Sequence, residues 1–189
     1  MGLFNDLLKE VLSDQEVKNA INNVASRGIS NLGATLFDTD NDGDFDMDDF
    51  NNLLTYSNMF VSVIGQAMLS DGEIQDEEVD VAFSIIDATI LSDDGYLNSA
   101  VLEYGGVSSE QIIEHIKNLL VEPNGLRDIA NYALNTNNTD VFYDLACHIV
   151  ASDGIIVNSE FQFLDELASL LQLPNTDKNR IERKYIKFD

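Results

Sequence analysis

One cysteine in 189 residues, Cys147, rules out an internal disulfide framework. With two histidines beside it, His115 and His148, a zinc site of the usual Cys/His kind is excluded as well. Tryptophan is missing and proline occurs twice, at Pro123 and Pro174, both where helices are expected to stop. Neither a P-loop nor a G-x-S-x-G nor a dinucleotide fingerprint occurs, so enzymatic activity has no sequence support. Basic residues are scarce, ten Lys and Arg against 34 Asp and Glu, for a net charge of −24. A polyanion of this size is repelled by nucleic acid and by anionic membranes, and fits cations or a basic protein partner. No secretory leader is expected, because acids appear early in MGLFNDLLKEVLSD and no cleavage site follows. Phe50 to Ser70 is free of charge, yet Asn51, Asn52, Thr55, Ser57, Asn58, Ser62 and Gln66 are too many polar groups for hydrocarbon. That run is expected to be a central buried helix, with no membrane insertion and a cytoplasmic location.

What is present is concentrated in three places. The first is Asp38 to Phe50, DTDNDGDFDMDDF. Taking Asp38 as position 1, acids stand at Asp38, Asp40, Asp42 and Asp49, which are positions 1, 3, 5 and 12, with Gly43 at 6 for the sharp turn. Asp44 at 7 offers its backbone carbonyl and Asp46 at 9 ligates through water. A hard divalent cation takes six to eight oxygens, which this spacing supplies. The segment 38–49 resembles an EF-hand loop, which implies calcium as the bound ion, with magnesium as the alternative. Position 12 is Asp where EF-hands carry a bidentate Glu; the shorter side chain lowers the expected calcium affinity.

The second is an internal repeat. Residues 67–79 align with residues 149–161 at an offset of 82, pairing Ser70, Asp71, Gly72, Ile74 and Glu78 with Ser152, Asp153, Gly154, Ile156 and Glu160. Each copy follows an apolar helix, with Phe60 matching Phe142. Asp76 or Asn158 is placed to cap the next helix, where Val79, Phe83 and Ile86, or Phe161, Leu164 and Leu167, are expected to face inward. This helix–(A/S)DG-x-I-x-x-x-E–helix unit resembles the TerB family, the helical domain associated with tellurite resistance. The resemblance covers roughly residues 52–175. It implies a compact two-repeat helical bundle with an acidic, metal-associated surface, and a role in metal-related or general stress or as a module of larger assemblies. Carried over by position, it marks Asp71, Glu78, Asp153 and Glu160 as a second acidic site. Two readings stand side by side: the half-sites meet and share an ion, or Asp-Gly makes a turn, Ile plugs the core and Glu stabilises the following helix.

The third is the tail. Lys178, Arg180, Arg183, Lys184 and Lys187 are five of the ten basic residues and fall in the last twelve positions; with two acids the tail carries +3 and the remainder −27. A helix turning Ile181, Tyr185 and Phe188 to one side either folds back on the acidic body or uses Arg180, Arg183, Lys184 and Lys187 to bind a partner or another copy. Cys147 and His148 are neighbours on a helix, about 100° apart, so they do not form a catalytic pair; a buried Cys and a surface His are expected.

No hairpin signal occurs, and helical periodicity runs from Leu3 to Leu12 and from Val17 through Leu36, with further helices near Ser108, over Gly125–Asn135, and from Thr139 to Ala151. The expected fold is all-α. Residues 1–51 would form an N-terminal helix–loop–helix extension, 52–175 the TerB-like bundle, and 176–189 the basic tail. The expected function is non-enzymatic divalent-cation binding in a stress-associated or assembly adaptor, with a protein partner or self-association. The alternatives are a structural assembly protein stapled by a permanent ion, and a metal-dependent hydrolase built on the four repeat acids.

Overall fold

The computed structural model describes residues 47–72, 74–92 and 95–186; the first helices, Asp38–Asp46 and Lys187 lie outside the described residues. Within them the chain is helical, with no strand. The helices are α1 Met47–Met68, α2 Asp76–Ile86, α3 Ser99–Tyr104, α4 Ser109–Val121, α5 Leu126–Asn135, α6 Thr139–Val150, α7 Asn158–Leu170 and α8 Asn175–Glu182. A π-helical turn, Asp87–Leu91, extends α2 and closes with Ser92 N donating to Asp87 O at 2.8 Å.

The uncharged run becomes α1. Asp48 and Asp49 sit in its first turn, where the positive end of the helix dipole favours them. Leu53, Tyr56, Phe60, Ile64 and Ala67 are buried at helical spacing, and Val61 and Val63 are buried too, as expected of a helix apolar nearly all round. Several of its polar residues are bonded within the protein, while the buried Ser57 hydroxyl has no partner among the described residues. Ser62 Oγ accepts from the backbone and side-chain nitrogens of Asn124, and Gln66 donates back to Asn124 O. Thr55 donates to Asn51 O, and His115 Nε2 lies 2.8 Å from Asn58 Oδ1. No helix of the described residues is long and apolar enough to cross a membrane. The helix runs unbroken through position 51, where the sequence pattern places a domain boundary.

By its contacts the chain divides into two compact units. One takes the described residues through Asn58 together with Asp80–His115; its core includes Phe50, Leu53, Tyr56, Phe83, Ile86 and Tyr96, with Tyr56 and Tyr96 edge to face at 5.5 Å. Here α4 begins with a full capping box, Gln111 N donating to Ser108 Oγ and Ser108 N to Gln111 Oε1. Asn98 caps α3 by accepting from Val101 N. The other unit takes Met59–Val79 and the chain from Ile116 onward. In it α5, α6 and α7 pack on one another and α8 packs on α6. Gly65 allows a close approach, since a Cβ there would stand 2.9 Å from Leu119 O.

Candidate functional site

The second unit holds both copies of the repeated turn. Helix α1 ends at Met68 and α2 starts at Asp76; α6 ends at Val150 and α7 starts at Asn158, the same offset of 82. The hydrogen bonds match as well. Ser70 N donates to Ala67 O and Gly72 N to Leu69 O, as Ser152 N does to Ile149 O and Gly154 N to Ala151 O. Gly72 and Gly154 stand at φ +84° and +79°, left-handed conformations that favour glycine. Beyond each glycine the Glu reaches back to an amide before its own helix: Gln75 N to Glu78 Oε2 at 3.0 Å, and Val157 N to Glu160 Oε2 at 2.7 Å. Asp76 and Asn158 are therefore the first helical residues rather than the caps. The Glu side chains, one turn in, satisfy the exposed amides instead.

This arrangement buries two carboxylates. Glu78 and Glu160 are each 3% exposed. Burial pushes Glu78 up, the Gln75 amide opposes it, and the charges of Asp71, Glu160 and Asp153 add to the rise, which reaches about 7. Glu160 is raised for the same reasons, burial first, against the Val157 amide and with Asp71 and Asp153 adding to it. The four acids thus lie within electrostatic reach of one another. The groups that set the charges of Glu78 and Glu160 among the described residues are burial, one amide each and other acids; none is basic. Asp153 Oδ1 also accepts from Ile155 N at 2.8 Å. At matched positions beside the cluster, Ser70 Oγ and Ser152 Oγ are buried and have no hydrogen-bond partner among the described residues.

Oxygen donors only, four carboxyls and two orphaned hydroxyls on the same turns, suit a hard divalent cation in kind. They are not converged as a ligand shell: among the described residues, no three His, Cys, Asp or Glu side chains are grouped closely enough to hold an ion. Nor does the repeated Ile plug the core in the first turn. Ile74 is 49% exposed, whereas its counterpart Ile156 is half-buried. Phe161, expected to face inward, is exposed on the first turn of α7, whereas Leu164 and Leu167 one and two turns later are buried.

Of the EF-hand-like loop, Asp49 alone among the candidate ligands lies in the described residues. It is 2% exposed in the first turn of α1, so the position-12 acid is turned inward. Asp38, Asp40, Asp42 and Asp44 lie outside the described residues.

The tail folds back on α6. Arg180 pairs with Asp140 at 2.7 Å, Lys184 pairs with Asp144, and Tyr185 donates to the other Asp144 oxygen at 3.0 Å. Arg183 is exposed, and Lys187 lies outside the described residues. Beneath them Glu182, 4% exposed, accepts from Tyr143 Oη at 2.8 Å and pairs with Lys178, which also reaches Asp165. Cys147 is buried, and burial together with Glu182 and Asp144 holds its thiol far above the usual range, which disfavours the thiolate. His148 is half-buried. Its ring stacks on Tyr185 at 5.0 Å, and burial lowers its basicity against the pull of Asp144. The missed signal was spacing: acids at 140 and 144 face bases at 180 and 184 with the same four-residue step.

No family model matches the chain, and neither a curated protein nor a solved structure matches it.

Proposed function

We propose that the protein is a non-enzymatic, TerB-like two-repeat helical bundle that binds divalent cations, calcium first and magnesium in competition, as a cytoplasmic stress-associated or assembly adaptor. The observation that carries this reading is the pair of buried glutamates, Glu78 and Glu160, within electrostatic reach of Asp71 and Asp153, on turns that also hold two orphaned serine hydroxyls. Like charges gathered in a poorly solvated place are unfavourable unless they are protonated or neutralised by a cation. Asp71, Glu78, Asp153 and Glu160 would hold the ion, and the Ser70 and Ser152 hydroxyls would bond its water. The matched turns support the resemblance to TerB, and the buried Asp49 supports an EF-hand-type second site at 38–49.

A bound ion would supply positive charge, and Asp71, Glu78, Asp153 and Glu160 would hold it between the two turns. The test is calorimetric titration of chelator-stripped protein with calcium, repeated in magnesium, with helicity followed in parallel. Two sites are expected. Glu78→Gln with Glu160→Gln removes one, and Asp38→Ala with Asp42→Ala removes the other. Absence of heat with either cation would sink the reading, and heat unchanged in the glutamate variant would remove the cluster from it.

A further inference from the structure

The two turns that share the acid cluster also hold apolar side chains in water. Ile74 is 49% exposed in the first turn and Ile155 is 67% exposed in the second; Val157 and Phe161 are exposed beside it. Scattered exposed apolar residues need no explanation, but here they make up half of the large exposed hydrophobics among the described residues. Their local positions favour other residues. Val157 is the N-cap of α7 and has no side-chain cap bond, where Ser, Thr, Asp or Asn would stabilise the helix. Ile155 follows a left-handed glycine in an exposed turn, where polar residues are the rule. The exposed parts of these four side chains add nothing to the core and are free for contact with something else.

The surroundings say what that is. Asp71, Asp153 and the exposed Asp76 and Glu77 give the same turns a negative rim. A second copy of this chain, at −24, would bring the same negative rim against it. The chain's own cationic segment is engaged elsewhere, since Lys178, Arg180 and Lys184 pair with Asp165, Glu182, Asp140 and Asp144. We propose that Ile74, Ile155, Val157 and Phe161, exposed on the two matched turns, together dock a basic amphipathic helix of another protein, its apolar stripe on these four residues and its Lys or Arg flanks on the acidic rim.

The test uses the full chain in EDTA, so that its outcome is independent of cation binding. A fluorescent Lys/Leu peptide with helical amphipathic spacing is titrated by anisotropy, beside a peptide of identical composition with the spacing scrambled. The expected result is a preference of about tenfold or more for the amphipathic peptide, lost in Ile155→Ser/Phe161→Ser and reduced in Ile74→Ser. Glu110→Gln/Glu114→Gln, which removes exposed acids on α4, keeps the preference. Equal binding of both peptides, or a preference that survives the serine substitutions in protein of unchanged circular dichroism, means attraction to a polyanion and overturns the proposal. Self-association that the serine variants abolish overturns it too, by making a second copy the occupant.

Discussion

Three glutamates of the second unit are equally hidden, at 3%, 3% and 4% exposure, and they live in opposite circumstances. Glu182 has the Tyr143 hydroxyl on one oxygen and the Lys178 ammonium within 2.8 Å. Glu78 and Glu160 have one backbone amide each and otherwise face carboxylates. A buried charge with its partners supplied by the chain fixes a fold, whereas one that lacks them is relieved by taking up a proton or by a charge of opposite sign. The difference is not one of burial or residue type. It lies in what the rest of the chain brings to the spot.

Removing Glu182 should have the largest effect. Glu182→Ala leaves the Tyr143 hydroxyl buried without its acceptor and takes a counterion from Lys178, so a loss of about 2–4 kcal/mol is expected in denaturant unfolding. Tyr143→Phe combined with Glu182→Leu should lose less than the two single changes together, because no orphan remains.

Glu78→Gln should act with the opposite sign. Its folded-state value of about 7 lies above the ordinary 4.5, so between those limits the folded state binds the extra proton. Stability from this group is therefore complete at low pH and falls as pH rises toward 7. In chelator above that value the neutral amide, which keeps an acceptor for Gln75 N, should gain on the order of 2 kcal/mol. The gain should shrink as the pH is lowered to about 5 and should vanish or reverse when calcium is added. His148, depressed by burial, works the other way below its ordinary range, so the measurement to make is the difference between wild type and variant at each pH. A Glu78→Gln protein less stable than wild type in chelator at pH 8 would break the comparison.

How far the sequence announced all this depends on the length scale. The all-α class, the uncharged helix now seen as α1, the Ser108 cap and the matched turns are local patterns, carried by periodicity and by residues a few places apart. The four acids could be named from the 82-residue offset, because a repeat transmits position without three-dimensional knowledge. The fate of the tail could not be decided, since folding back and reaching out use the same basic residues; only the facing of Asp140 and Asp144 decides it. Ile74 and Phe161 read as inward-facing because apolar residues usually are, and that rule fails at these two positions, which lie before and within the first turn of a helix. The π-helical turn at Asp87–Leu91 and the short α3 had no periodic signal long enough to read.

A smaller effect would sharpen the likeness between the two turns themselves. A Cβ on Gly72 or Gly154 meets no atom within 4 Å, so alanine at either place suffers only the left-handed backbone strain, about 1 kcal/mol. The two substitutions should give equal losses in chelator. Asparagine, which tolerates this conformation better, should lose less at both positions. Unequal losses would show that the turns are alike in bonding but not in how firmly their surroundings hold them.

The smallest effect is expected where the geometry looks strongest. Arg180 donates to Asp140 at 2.7 Å and reaches Asp177 at 3.4 Å, yet all three side chains are in contact with water. A short distance between exposed charges says little about free energy, since water solvates the separated ions nearly as well and two flexible side chains must be ordered to meet. Arg180→Ala should therefore change thermal stability less than any substitution above, and the change should fade as salt shortens the screening length to about 3 Å near 1 M. The effect of Glu182→Ala, whose charge is shielded by protein instead of water, should persist at that salt. If Arg180→Ala matched it, or if both faded together, the count of opposite charges would govern this face of α6. The contrast between Glu182 and the pair Glu78 and Glu160 would then reduce to the scarcity of basic residues along the chain.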